Sequence, residues 1–321
     1  MDWQQILISI EISENNSSES TTYRQKEDIK ILRLIRERTF SFAVGYHNIL
    51  DELLVEQALN NSVNFDRELE FPFIKRSENL DNVIFENDDH CKKMSICLNI
   101  KSNKKNNIKE KTEFILSPSI LDREKLYFAQ SDYTKISFFP WIISPLALSK
   151  IILKDWESFL IKNKKQVTGI NFPNDICITD RAIKHKFDFE GTIKRETTFV
   201  RNGQILNFAC NFINAEGDLS LLNGHGGIED VFFSDLYLES VKVGNWPMDK
   251  FYFVEDVHNL KNDLFLVTFT SLFGRHIELI NINRRRLFDD YKWLDERGRG
   301  NFPWNVPYLQ IFNTSCHERR G

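Results

Sequence analysis

The stretch Asp188-Phe-Glu-Gly-Thr-Ile-Lys-Arg-Glu-Thr-Thr-Phe-Val-Arg-Asn-Gly-Gln-Ile-Leu206, continued to Asn223-Gly-His-Gly-Gly-Ile228, constrains this 321-residue chain more than any other. Thr197-Thr-Phe-Val200 is β-branched and aromatic, Asn202-Gly203 is the strongest two-residue hairpin signal, and Gln204-Ile-Leu-Asn-Phe208 alternates polar with apolar. The pattern predicts a β-hairpin whose two turn residues take positive φ. Ahead of it, Gly191 lets an acidic loop holding Asp188 and Glu190 turn sharply into the first strand. Behind it, Gly224, Gly226 and Gly227 place His225 in a loop whose backbone can come close to another group. Main-chain N–H groups and an imidazole gathered this way can face a ligand or partner; a tight turn with the ring satisfied locally is the other reading.

Two domains are expected, since this length has room for them. Hydrophobic residues make up 41% and charged residues 27%, so a folded protein is expected, and 27 Phe, 8 Tyr and 6 Trp give it an aromatic core. A net charge of -4 supplies no overall field for nucleic acid or an anionic membrane. Met1-Asp-Trp-Gln-Gln has no basic region leading into an apolar core, and no apolar run reaches the roughly 18 residues that span a bilayer, so a cytoplasmic location is expected. The five cysteines lie at positions 91, 97, 177, 210 and 316 with no C-x-x-C pair, which suggests neither a disulfide framework nor a zinc ribbon. Cys97 and Cys210 read as small core residues.

Taken in order, Ile6–Ile12, Lys30–Ile35 and Thr39–Val44 read as strands, and apolar residues at 49, 50, 53, 54, 58 and 59 recur at helical spacing. Phe71-Pro-Phe73 follows this stretch. From about Lys75 to Lys135 the polar composition reads as solvated loops, and the Lys101–Lys111 run lacks the aromatics and arginines of a nucleic-acid contact. Ser144 then caps a helix with Pro145 in its first turn and an apolar face at 148, 151, 152, 156, 159 and 160. Beyond the hairpin, Asp230–Phe233, Asp235–Val243, Phe251–Val254, Asp263–Thr270 and His276–Ile282 are β-like. Arg284-Arg-Arg286 and Arg297-Gly-Arg-Gly300 alternate with acids and read as a salt-linked surface. The expected fold class is α+β: an N-terminal α+β domain over 1–75, a polar connecting region over 76–137, and a β-rich C-terminal domain over 138–321.

Asp188, Glu190, Gly191, Arg195, Gly203, Leu206, Gly224, His225 and Gly227 resemble the pattern of the TldD/PmbA family, in its PmbA (TldE) branch. The strand, strand, strand, helix order at the amino terminus is similar to that family's first domain, and Asp235-Leu-Tyr-Leu resembles its N-L-Y-L segment. The middle region looks shortened. In the catalytic TldD branch the helix corresponding to the one after Ser144 is expected to carry H-E-x-x-x-H, two imidazoles for zinc and a carboxylate to activate water. This chain has no histidine between Ser144 and Lys165, and its Glu157 reads as a surface residue. The resemblance therefore implies no metal or other cofactor in this chain, zinc in a TldD-like metallopeptidase partner, and an unfolded or precursor peptide as the shared ligand. On it, Asp188, Glu190, Arg195, Gly224, His225, Gly226 and Gly227 are the candidate binding residues and none is catalytic.

Other chemistry finds little footing. His47, His90, His185, His225, His258, His276 and His317 form no pair at three- or four-residue spacing on a helix. Asp89-His90-Cys91 sits in a polar loop with no evident base or oxyanion element for a cysteine nucleophile. Neither G-x-G-x-x-G, G-x-x-x-x-G-K-[ST] nor G-x-S-x-G occurs. Three readings follow: a non-catalytic subunit of a heterodimeric peptidase assembly, a diverged stand-alone metallohydrolase using His225, and a free-standing peptide-binding adaptor.

Overall fold

In the computed structural model the described residues are 1–16, 21–46, 49–71, 92–103, 108–115, 140–162, 172–183, 186–228, 230–248, 250–261, 263–271, 274–300, 303–312 and 317–319. The fold is mostly β. Among these residues the first sheet has six strands in the order β4-β3-β2-β1-β5-β6. They are β1 (Asp2–Asn16), β2 (Thr21–Arg36), β3 (Thr39–Tyr46), β4 (Ser62–Asn64), β5 (Lys92–Ser102) and β6 (Ile108–Ile115). Helix α1 (Asp51–Asn60) lies on one face, packing Leu54 and Ala58 against Leu32, Leu34 and Ala43. The contact is narrow, so Leu50, Leu53 and Leu59 of the expected apolar helix face stay exposed.

Two strands replace part of the loop expected between Lys75 and Lys135. Met94, Ile96, Leu98 and Ile100 alternate along β5, and the last three are buried on the face shared with Ile6 and Ile8 of β1. Polar flanks on both sides hide this period-2 signal in the sequence. The same alternation turns Cys97 outward, so it is exposed, whereas Cys210 is buried as expected. Asp89-His90-Cys91, Pro72-Phe73 and the domain boundary near residue 75 lie outside the described residues.

The second sheet follows the path β10-β9-β8-β11-β17-β7-β13-β14-β15-β18, with β12 and β16 attached beside β17. Its strands are β7 (Trp141–Ile143), β8 (Ile176–Asp180), β9 (Thr197–Arg201), β10 (Gln204–Ile205), β11 (Leu236–Ser240), β12 (Val243–Gly244), β13 (Tyr252–Lys261), β14 (Leu264–Ser271), β15 (Gly274–Ile282), β16 (Tyr291–Arg299), β17 (Trp304–Ile311) and β18 (His317–Arg319). Asp230–Phe233 makes only an isolated bridge, Val231 to Gly226, instead of the expected strand. β16 and β17 have no counterpart in the sequence reading, because Pro307 interrupts the β17 pattern; it pairs with Arg297 beside a register shift where the ladder is already irregular.

The helix after Ser144 forms as α2 (Pro145–Leu148), a π-helical turn (Ser149–Leu153) and α3 (Lys154–Leu160), with Ser144 Oγ accepting from Ala147 N at 3.0 Å. The π turn inserts one residue into the helical period. Leu153 therefore turns into the core with Leu148, Ile151, Trp156 and Leu160, and Ile152 is left at its margin. Glu157 is not the surface residue expected. It is half-buried and accepts a hydrogen bond from the indole N–H of Trp304, and burial raises its pKa to about 7. The arginine run is salt-linked, Arg286 to Asp289 at 3.2 Å and Arg284 to Asp263 at 2.7 Å. Arg297 instead stacks on the ring of Tyr237 at 3.8 Å, with Arg181 on the same ring at 3.8 Å.

Candidate functional site

The hairpin forms with the predicted turn, although its second strand stops at Ile205 instead of running to Phe208: β9 and β10 are antiparallel, and Asn202 and Gly203 take φ of 50° and 74°. The acidic loop ahead of it is built on Asp188. One carboxylate oxygen accepts from Glu190 N at 2.9 Å and Thr192 N at 2.8 Å, and the other accepts from Gly226 N at 2.7 Å. Gly191, at φ 79°, makes the bend that lets both loop amides reach the same oxygen. Asp188 thus joins the loop before the hairpin to the glycine loop after it. All of this is buried.

Glu190 reaches farther. Its Oε1 lies 3.0 Å from an Arg33 guanidinium nitrogen, its Oε2 accepts from Phe212 N at 2.7 Å, and its main-chain carbonyl accepts from Gln4 Nε2 at 3.3 Å. Arg33 and Gln4 come from β2 and β1, so this carboxylate fastens the six-stranded sheet to the hairpin loops. Gly226 is obligatory here, because a Cβ would lie 2.3 Å from Glu190 Cγ. Burial raises the pKa of both Asp188 and Glu190, against the Arg33 charge and the backbone N–H donors.

His225 sits at zero exposure between Phe199 and Phe233, with ring centroids 5.1 and 5.8 Å away. Its Nδ1 is 2.8 Å from Asn223 Oδ1, and the Asn223 amide is oriented by donating to Phe208 O at 2.8 Å. Its Nε2 lies 3.3 Å from Asp180 Oδ2 without the alignment of a hydrogen bond. Asp180 also meets Lys194 Nζ at 3.1 Å and Ser234 N at 3.0 Å. Burial alone would raise its pKa, but Lys194, His225 and Ser234 outweigh burial and hold it well below the usual carboxylate range. Burial, helped by Lys194, lowers the pKa of His225 despite the opposing carboxylate. Of the two readings of His225, the ring satisfied locally in a tight turn is the one that the structure shows, and the imidazole is a core group.

The glycines themselves serve close approach. Gly224 has φ 81°, and a Cβ there would meet Lys194 Cα at 2.3 Å; one on Gly227 would meet Asp230 O at 2.3 Å. Arg195 is exposed and takes no part in the acid cluster. The alternation along the chain turns Lys194 inward and Arg195 outward, and the cation for Glu190 comes from Arg33. Sequence reasoning missed Arg33, Asp180 and Lys194. A signal existed: Arg33 is a lone charge within Ile31-Leu-Arg-Leu-Ile35, and Asp180 shares the inward face of Ile176 and Ile178.

Among the described residues no three His, Cys, Asp or Glu side chains converge to hold a metal, and the helix after Ser144 offers no histidine. No described helix is long and apolar enough to cross a membrane.

No protein-family model matches the sequence, and no curated protein matches it. Solved structures do. TldE from Thermococcus kodakarensis superposes with a TM-score of 0.65 at 13% identity, over 97% of this chain and 96% of that one. The chain has the TldE fold. Candidate modulators of DNA gyrase from Thermotoga maritima and Bacteroides thetaiotaomicron superpose with TM-scores of 0.59 and 0.58, each at 12% identity and over 97% of this chain, covering 94% and 92% of theirs. The TldE fold accounts for both sheets at once, since the match runs through nearly the whole chain. In this TldE-like chain Asp188, Glu190, Gly191, Gly224, His225 and Gly227 of the family pattern are buried, whereas Arg195 and Leu206 are exposed.

Proposed function

We propose that this chain is a non-catalytic TldE-like subunit that pairs with a TldD-like zinc metallopeptidase in the cytosol and helps bind or present peptide for proteolysis, including maturation of precursor peptides. The observation that carries the reading is the likeness to TldE along nearly the entire chain, combined with a helix after Ser144 that has no histidine. Zinc and the water it activates would belong to the partner. This chain's share is shape. The Asp188 and Glu190 network holds the hairpin loops rigidly on the six-stranded sheet, which fixes the surface a partner meets.

The test is co-purification with a TldD-like protein, followed by digestion of an unstructured peptide with each component alone and with both. The pair is expected to cleave faster than the TldD-like protein alone, with cleavage abolished by a chelator, and the isolated chain is expected to bind no stoichiometric zinc. Chelator-sensitive cleavage by the isolated chain would favour a stand-alone hydrolase. Failure to pair, with peptide still bound, would favour a free-standing adaptor.

A further inference from the structure

A groove opens between the six-stranded sheet and the loop that follows His225. Its floor is Ile10, Met94 and Ile96, with Ile10 and Ile96 directly opposite each other on β1 and β5. Its wall is Phe189, Ile228 and Phe232, the two rings packed at 4.8 Å, and Gly227 brings the loop backbone to its edge. Among the described residues Asp230, exposed at the rim, is the sole charged one in the lining, and no ion pair to it occurs. Gly227 N donates to Asp230 O at 2.6 Å, which holds the Asp230 backbone beside the apolar opening.

We propose that this groove takes the large apolar side chain of an extended peptide that carries a lysine or arginine next to that side chain. The cavity volume is about 180 Å³. That is below the roughly 300 Å³ at which cofactor and drug-sized sites begin, and above the ~150 Å³ that houses a benzene ring in an apolar protein cavity. One aromatic or branched aliphatic side chain is therefore the right load. A carboxylate at the mouth favours a cation on the neighbouring peptide residue and repels acidic peptides and nucleic acid. In recognition of extended peptides, side-chain pockets of this kind supply specificity. The inference rests on the reading of this chain as a peptide-handling subunit, and it adds the residue class that the chain selects.

The full chain is titrated against fluorescein-labelled hexapeptides by fluorescence anisotropy, using Gly-Ser-Phe-Lys-Ser-Gly, its Phe→Ser form and its Lys→Glu form. The parent peptide is expected to bind saturably, the Phe→Ser form at least tenfold more weakly, and the Lys→Glu form about threefold more weakly, as suits an exposed ion pair. Asp230→Lys, whose melting point should match wild type, is expected to reverse the order of the Lys and Glu peptides. Equal affinity for the Phe and Ser forms, no saturable binding, or an unreversed order with Asp230→Lys overturns the proposal. So does a wild-type dimer that Asp230→Lys converts to monomer, since a second copy would then occupy the groove. Pairing with a TldD-like protein is measured separately: a pair with failed titrations sinks the groove alone, and successful titrations without a pair sink the subunit reading alone.

Discussion

Arg33 of β2 and Glu190 of the acidic loop form an ion pair at 3.0 Å, with side chains 6% and 4% exposed. It is a long-range bond in sequence and a short one in space. The Glu190 carboxylate has no spare oxygen, since the second accepts from Phe212 N, and the Asp188 carboxylate beside it binds Gly226 N. Three segments, β2, the hairpin approach and the glycine loop, thus converge on two carboxylates, with one guanidinium against Glu190.

Removing the guanidinium is expected to be costly. Arg33→Met leaves Glu190 buried without its counter-charge, which should destabilise the fold by about 3–5 kcal/mol. Burial already lifts the Glu190 pKa above its ordinary value, and losing Arg33 lifts it further. A raised carboxyl pKa gives stability that is present at acid pH and lost as pH rises through the folded value, so the deficit of Arg33→Met should grow from pH 5 to pH 8. Urea unfolding at those two values checks this; a deficit that shrinks with rising pH would mean that the pair is not holding Glu190 ionised.

Gly203 allows a simpler test. It holds φ 74°, and a Cβ there would lie 2.8 Å from Phe172 O. Gly203→Val should cost on the order of 1–3 kcal/mol in backbone strain, with the close carbonyl pushing toward the upper end. Thermal melts of Gly203→Val beside an Asn202→Gly control, expected to be nearly neutral, separate strain from loss of the turn.

How much of this was legible depended on period and on chain separation. Asn202-Gly203, the capped helix after Ser144 and the first three strands rest on local patterns, and each forms at its expected place, although β1 and β2 run well beyond the expected Ile6–Ile12 and Lys30–Ile35 and a π turn interrupts the helix. β5 escaped because four alternating apolar residues sit between polar runs, and β17 because Pro307 breaks its pattern. The site divides in the same way. Asp188, Glu190 and His225 were visible as residues in a glycine-punctuated stretch, but their burial depends on β1 and β2 arriving from far away in sequence, and no local signal reports that. The clue that did exist, a lone Arg33 inside an apolar strand, becomes meaningful only once a buried anion is found for it.

Glu157 gives a pH test on the opposite side of the core. Burial raises its pKa to about 7, while the Trp304 indole hydrogen bond and the Lys154 charge oppose the rise. The folded chain therefore holds a proton at pH 5–6 that the unfolded chain releases, and stability falls as pH rises from about 4.5 to about 7. Glu157→Gln keeps an acceptor for Trp304 and removes the titration. Its stability relative to wild type should improve by on the order of 1–3 kcal/mol between pH 5 and pH 8, read from chemical denaturation at both. A constant difference across that range would show that Glu157 is solvated in solution.

His225 decides between a core role and a ligand-facing one. The ring is fully buried, wedged between Phe199 and Phe233, bonded through Nδ1 to Asn223 and set against Asp180 through Nε2. His225→Ala should therefore cost about 2–4 kcal/mol, from the cavity and from the Asn223 oxygen left without a donor. His225→Phe should recover the packing part of that loss and leave the polar part. Burial lowers the imidazole pKa below its ordinary 6.5, so wild type loses stability as pH falls below 6.5, and this slope should vanish in His225→Phe. Partner and peptide binding per folded molecule should stay unchanged in both variants, because the ring does not reach the surface. Thermal melts from pH 5 to 8 beside pull-downs read all three. If His225→Ala melts like wild type while binding drops, the ring contacts the ligand, and the structural role drawn for it here is wrong.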